Sequence, residues 1–143
     1  MELKIVIDKN RAEEVLVFAH ERSELVKSIE SLVERCEKNF VAYGDGCVRK
    51  IRADEVYCFV SCGGKVYALT ENEKLLLKER LYQIEEKLGN NFVKINQSCI
   101  GNINSIKSFD VSVSGTLKVI FKNGYTDYVS RRQIKNVKER FGI

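Results

Sequence analysis

The chain has 143 residues, 44% of them apolar and 31% charged, with a formal net charge of +4. That is one domain, or one small domain with an extension, of ordinary soluble composition. No apolar run nears the roughly 20 residues that span a bilayer, and MELKIVIDKN lacks a signal peptide's apolar core and cleavage site, so a cytoplasmic location is expected.

Glu2 to Ile7 alternates Leu3, Ile5 and Ile7 with Glu2, Lys4 and Val6, the period-two signature of a half-buried strand. After a turn at Asp8 to Arg11, Val15 to Phe18 is a short apolar run that predicts a second strand. From Arg22 the period changes: Leu25, Ile29, Leu32, Val33 and Cys36 form one stripe of an amphipathic helix, with Ser23 as its N-cap. This β-β-α extension, residues 1–38, has too little core to stand alone and is expected to pack on the rest of the chain or on a second subunit.

Strand signals then crowd together. Phe40 to Tyr43 and Cys47 to Arg52 flank Gly44-Asp45-Gly46; Val56 to Ser61 and Lys65 to Thr70 flank Gly63-Gly64. Both pairs predict hairpins. Lys74 to Lys78 reads as a strand, and Glu79 to Leu88 as a helix with Gly89 as its C-cap. Phe92 to Ile95 resumes extended structure, and Ile100, Ile103 and Ile106 punctuate a polar stretch. Leu117, Val119 and Phe121 alternate toward Asn123-Gly124, the strongest hairpin signal in the chain, which leads into Tyr125 to Val129. Ser130 is expected to cap a final helix with Ile134, Val137 and Phe141 on its apolar face. The expected class is mainly β with α.

Chemistry of catalysis is poorly supported. The sole His20 lies outside the strand-rich region, and neither a phosphate loop nor a zinc-ligand set is present. No cofactor or metal is expected. The five cysteines read as reduced thiols used as small apolar residues; Cys58 and Cys62, four apart on one strand, do not make a CxxC site.

Charge is unevenly placed. From Asn91 onward nine bases face three acids, a local net of +6, whereas the first ninety residues carry −2. A concentration of that kind points to a polyanion. Arg131 and Arg132, at the expected start of the last helix, offer planar donor forks that match guanine O6/N7 or phosphate. A structural ion pair with Asp127 is the competing role for either arginine. Asn96-Gln97-Ser98 is either a contact loop or a polar turn, and Lys135, Lys138 and Arg140 read as a solvated helix face.

The order of several short patterns completes the reading. They are Asp54-Glu55-Val56-Tyr57-Cys58-Phe59, Leu88-Gly89, Phe92-x-Lys94-Ile95-x-x-Ser98, Asn102 and Ile106, Phe121-x-Asn123-Gly124 and Val129-Ser130-Arg131-Arg132. From Phe40 to the C-terminus this order resembles the LytTR family of bacterial DNA-binding transcription regulators. The resemblance implies an elongated, multi-sheet β fold over residues 39–143 whose loops enter successive major grooves of double-stranded DNA. Many members carry an upstream receiver domain; this chain resembles a stand-alone, response-regulator-like type whose 38-residue extension serves self-association. Carried over by position, the DNA contacts implied are Lys65 at the hairpin tip, Lys94, Asn96, Gln97, Ser98, Arg131 and Arg132. Many members have His and a basic residue where this chain has Asn96 and Gln97, which leaves amides suited to adenine N6/N7. Asn102 reads chiefly as a turn residue. The function implied is a sequence-specific, homodimeric regulator on a direct repeat. Its rivals are a protein-interaction module coupled to a membrane-protein partner, with weak DNA affinity, and a single-stranded RNA binder.

Overall fold

Ten strands follow residue 38 in a computed structural model, which describes the backbone of residues 1–11, 14–36 and 39–143 and their side chains other than those of 34–36. Residues 1–33 and 34–143 form two compact units.

In the larger unit, β1 (Asn39–Gly44), β2 (Cys47–Arg52), β3 (Cys58–Cys62), β4 (Lys65–Leu69) and β5 (Lys74–Leu77) precede helix α2 (Leu81–Lys87). With β6 (Phe92–Asn96) and β7 (Cys99–Asn102) they build a seven-stranded sheet in the order β2-β1-β5-β4-β3-β7-β6. A second sheet, β10-β9-β8, is made from β8 (Ile106–Val111), β9 (Leu117–Phe121) and β10 (Thr126–Tyr128); α3 (Ile134–Phe141) closes the chain. Every strand pair in both sheets is antiparallel.

The β3-β7-β6 end of the larger sheet is buried on both faces, whereas β2 at the other end is almost wholly exposed. Phe59 faces one core with Phe40, Phe92 and Ile84 of α2, while its neighbours Cys58 and Val60 face another with Val119, Phe121 and Val137. Because successive strand side chains point to opposite faces, a strand buried twice loses its polar alternation. That explains why β7, with all four residues buried, gave no strand pattern in the sequence. In the first core Phe59 stacks between Phe40 and Phe92, with centroids 5.1 and 5.8 Å away. Between the sheets the approach is close: a Cβ on Gly101 would lie 2.9 Å from the Phe121 ring. Asn102, also buried, donates to Val56 O at 3.0 Å and accepts from Asn104 N at 3.0 Å, so it braces two segments as well as making a turn.

The three expected hairpins form. Asp45-Gly46 and Gly63-Gly64 have positive φ at both positions, the geometry of a tight two-residue turn. At Asn123-Gly124 the loop is a residue longer: Gly124 N donates to Phe121 O, Phe121 N to Tyr125 O, and only the glycine takes positive φ.

Two helix ends differ from expectation. Leu88, in extended conformation, terminates α2 by donating its N–H to Ile84 O and Glu85 O, so Gly89 is not a left-handed cap. Helix α3 begins four residues after Ser130, whose carbonyl accepts from Gln133 N and Ile134 N at 2.9 and 3.1 Å. Arg131 and Arg132 therefore occupy the turn before the helix.

In the N-terminal unit, α1 (Glu24–Cys36) forms as its stripe predicts, and Ser23 Oγ accepts from Val26 N at 3.4 Å. Cys36, the last of that stripe, has its side chain outside the described residues, as do residues 37 and 38 at the end of the expected extension. The strands expected at 2–7 and 15–18 are absent. A strand needs a ladder partner for its N–H and C=O groups, and an isolated pair is marginal in water. Alternation was present, yet no described residue of 1–33 is buried; Leu3 and Phe18 are 85% and 92% exposed.

Candidate nucleic-acid interface

Three turns of the larger unit stand side by side in one hydrogen-bonded row. The β3–β4 tip carries Lys65, paired across the ladder with Cys62. Next to it, Ser61 N donates to Ser98 O at 2.8 Å, extending the β3–β7 ladder to the Gln97-Ser98 turn. On the far side, Ser130 N donates to Ile95 O at 3.0 Å and so seats the Arg131-Arg132 turn against β6. From β4 through β3, β7 and β6 to Ser130 the row is four backbone spacings wide, about 19 Å at ~4.8 Å each.

Lys65, Gln97, Ser98, Arg131 and Arg132 are all exposed. Neither arginine forms an ion pair among the described residues. The rival pairing with Asp127 is not made: that carboxylate instead accepts from Asn96 Nδ2 at 3.0 Å, Tyr128 N at 2.8 Å and the Tyr125 hydroxyl at 3.2 Å. Burial, then the charge of Asp127, push the Tyr125 hydroxyl well above its ordinary range.

Two of the expected contact residues are placed differently. Lys94 lies outside the row: its ammonium is 3.7 Å from Glu85 of α2, and it lines a cleft of about 360 Å³ with Gln133, Asn136 and Arg140. Asn96 is in the row but its amide is occupied. Besides donating to Asp127, it donates to Tyr128 O at 2.9 Å and accepts from Ser98 N at 2.8 Å. A bulge turns it there, since Lys94 pairs with Ile100 but Asn96 with Cys99. Bulges re-aim side chains. No sequence pattern announces this, because Asp127 reaches Asn96 from another sheet, 31 residues away.

The comparisons with known proteins agree with this fold. The description "LytTr DNA-binding domain" matches residues 46–142. The chain belongs to the LytTR family. It is 32% identical over 146 residues to an uncharacterized HTH-type transcriptional regulator of Staphylococcus aureus strain NCTC 8325, covering 100% of this chain and 99% of that protein. A regulator of the same name from strain MW2 is 31% identical with the same coverage. Among solved structures, the LytTr DNA-binding domain of a Bacillus cereus protein superposes with a TM-score of 0.68 at 20% identity, over 74% of this chain and 98% of that one. The mainly β architecture is thus the LytTR fold. No receiver domain is evident within the 143 residues. The relatives' label names a helix-turn-helix, but in this LytTR chain five strands separate α2 from α3.

The LytTR core also decides the cysteines. Cys58 and Cys99 are buried and Cys47 and Cys62 exposed, all as free thiols. Four residues along a strand separate Cys58 from Cys62 by about 13 Å, beyond the ~7 Å limit for a disulfide. A shared hydrogen bond with Cys58, then burial, push the Cys99 thiol well up, so it stays protonated and inert.

Proposed function

We propose that this LytTR chain is a sequence-specific, double-stranded DNA-binding transcription regulator that reads its site with the row of turns. The hydrogen-bonded row itself carries the reading. Free cationic forks and an exposed amide lie along an edge about 19 Å wide, four strand spacings across. Long Lys and Arg side chains at its two ends extend that reach toward the ~34 Å that separates successive major grooves. In this reading Lys65 and one of the arginines reach the grooves, Gln97 reads from the middle turn, and Ser98 and the second arginine hold phosphate.

Self-association fits the N-terminal unit. Residues 1–33 carry seven acids against five bases, unsuited to a duplex, and expose Leu3, Ile5, Ile7, Val15, Leu16 and Phe18. Contiguous apolar exposure marks an interaction surface. A second copy there would put two reading rows on a direct repeat, with half-sites spaced by roughly 10 bp or a multiple. Action in the cytoplasm accords with this reading; among the described residues no helix is long and apolar enough to cross a membrane.

Selection of binding sites from random duplexes tests this directly, with half-site spacing read from the selected sequences. Arg131→Ala or Arg132→Ala should weaken the selected site by about 1–3 kcal/mol and flatten preference at one base pair where the arginine reads a base. A phosphate-holding arginine should lower affinity evenly and reduce the salt slope by about 1. A double variant that binds as wild type would remove the arginine turn from the interface. A monomer that captures a membrane protein through residues 1–33 and selects no duplex would favour the interaction-module alternative.

A further inference from the structure

The row of turns passes through one side chain. Both N–H groups of the Asn96 amide are used, on Asp127 Oδ1 at 3.0 Å and Tyr128 O at 2.9 Å, and its oxygen takes Ser98 N at 2.8 Å. Reading adenine would require that amide to present a donor and an acceptor together, so Asn96 would first have to release its partners. Gln97, the next residue, is exposed and carries the same chemistry free among the described residues.

Asp127 is equally committed. In β10 it pairs with Val119 of the core-facing row of β9, while Thr126 and Tyr128 on either side are exposed. Its carboxylate therefore points away from solvent, where three donors take its charge: Asn96, the Tyr128 amide and the Tyr125 hydroxyl. A carboxylate turned outward at this place would repel phosphate. Apart from this network, the Ser130 N to Ile95 O bond is the backbone link that joins the arginine turn to β6.

We propose that Asn96 and Asp127 are positioning residues, a carboxylate–amide clamp that sets the Gln97-Ser98 turn against the Arg131-Arg132 turn so that both meet the duplex in register. This rests on the DNA-binding reading above. Asn96 is thereby a residue that aims the readers and does not itself read a base.

The test measures binding to the selected duplex and to a scrambled one, together with amide hydrogen exchange of the free protein. Asn96→Ala and Asp127→Ala should each weaken the selected site on the order of tenfold, the loss of a charge-assisted hydrogen bond. Scrambled-duplex affinity should fall less than selected-site affinity and the salt slope should hold, because no charged side chain of the row is removed. The double variant should be no worse than the worse single, as members of one network are non-additive. Asp127→Asn, which still accepts from Asn96, should recover most of the binding. In both alanine variants the Ser98 N–H should exchange faster while core amides such as Val60 and Val119 keep wild-type protection. The clamp is overturned if Asn96→Ala flattens preference at a single base pair while Asp127→Ala binds as wild type. It is also overturned if Ser98 exchange does not change in Asn96→Ala, a result readable even if the wild-type protein binds no duplex and the DNA reading has failed by itself.

Discussion

Two stretches of strand-like sequence end differently in this molecule. In Glu2 to Ile7 the pattern is clean, yet no ladder forms and Leu3, Ile5 and Ile7 stay exposed. In β3 the pattern is blurred, yet Cys58, Phe59 and Val60 are all buried, flanked by β4 and β7. Periodicity reports which face a strand would bury, not whether anything is there to cover it. A strand gains its stability from neighbours on both edges and cover on its faces. The larger unit supplies both within itself, whereas no described residue of 1–33 is buried.

The widest separation between the two regions should appear on deleting an aromatic ring. Phe59→Ala, at the centre of the first core, should cost about 3–5 kcal/mol in urea unfolding, and a value under about 1 would mean the core is loosely packed. Next, Gly101→Ala should cost about 1–3 kcal/mol by forcing the Phe121 ring away, while leaving the N-terminal unit's helix signal unchanged. A smaller effect concerns pH. Since burial and the Asp127 charge raise the Tyr125 hydroxyl from its ordinary value of 10, the unfolded chain loses that proton first on the alkaline side. Its contribution is thus complete below pH ~10 and declines above it. Wild type should lose stability between pH 10 and 11 more steeply than Tyr125→Phe; parallel curves would show the hydroxyl titrating normally. Least affected should be Phe18→Ala, within about 0.5 kcal/mol in dilute protein. If Phe18→Ala instead changes stability in a concentration-dependent way, Phe18 lies between subunits.

Much of the fold was legible because turns have strict demands. Asp45-Gly46, Gly63-Gly64 and Asn123-Gly124 each need positive φ at a glycine, and few sequences satisfy that between two apolar runs. Helix α1 was legible from its stripe and from Ser23. Strand β7 was not, since Cys99 to Asn102 is buried on both sides and leaves no polar beat to follow. In the proposed interface, Lys65, Gln97 and Arg131 were singled out by residue type and motif order, and the structure places all three at the surface. The roles of Asn96 and Lys94 were not, because Asp127 and Glu85 reach them through pairings and packing across the fold. Local sequence does not contain those distances.

One extra residue in β6 has a consequence for how such a surface diversifies. Where Lys94 and Asn96 fall out of step with β7, the chain swivels one amide inward and leaves its neighbour at the rim. Shortening or lengthening that strand by a single position would exchange the two, presenting a different side chain at the rim without altering a buried residue of the second sheet. Chain length at one irregular step, not only composition, would thus decide which side chain such an edge presents.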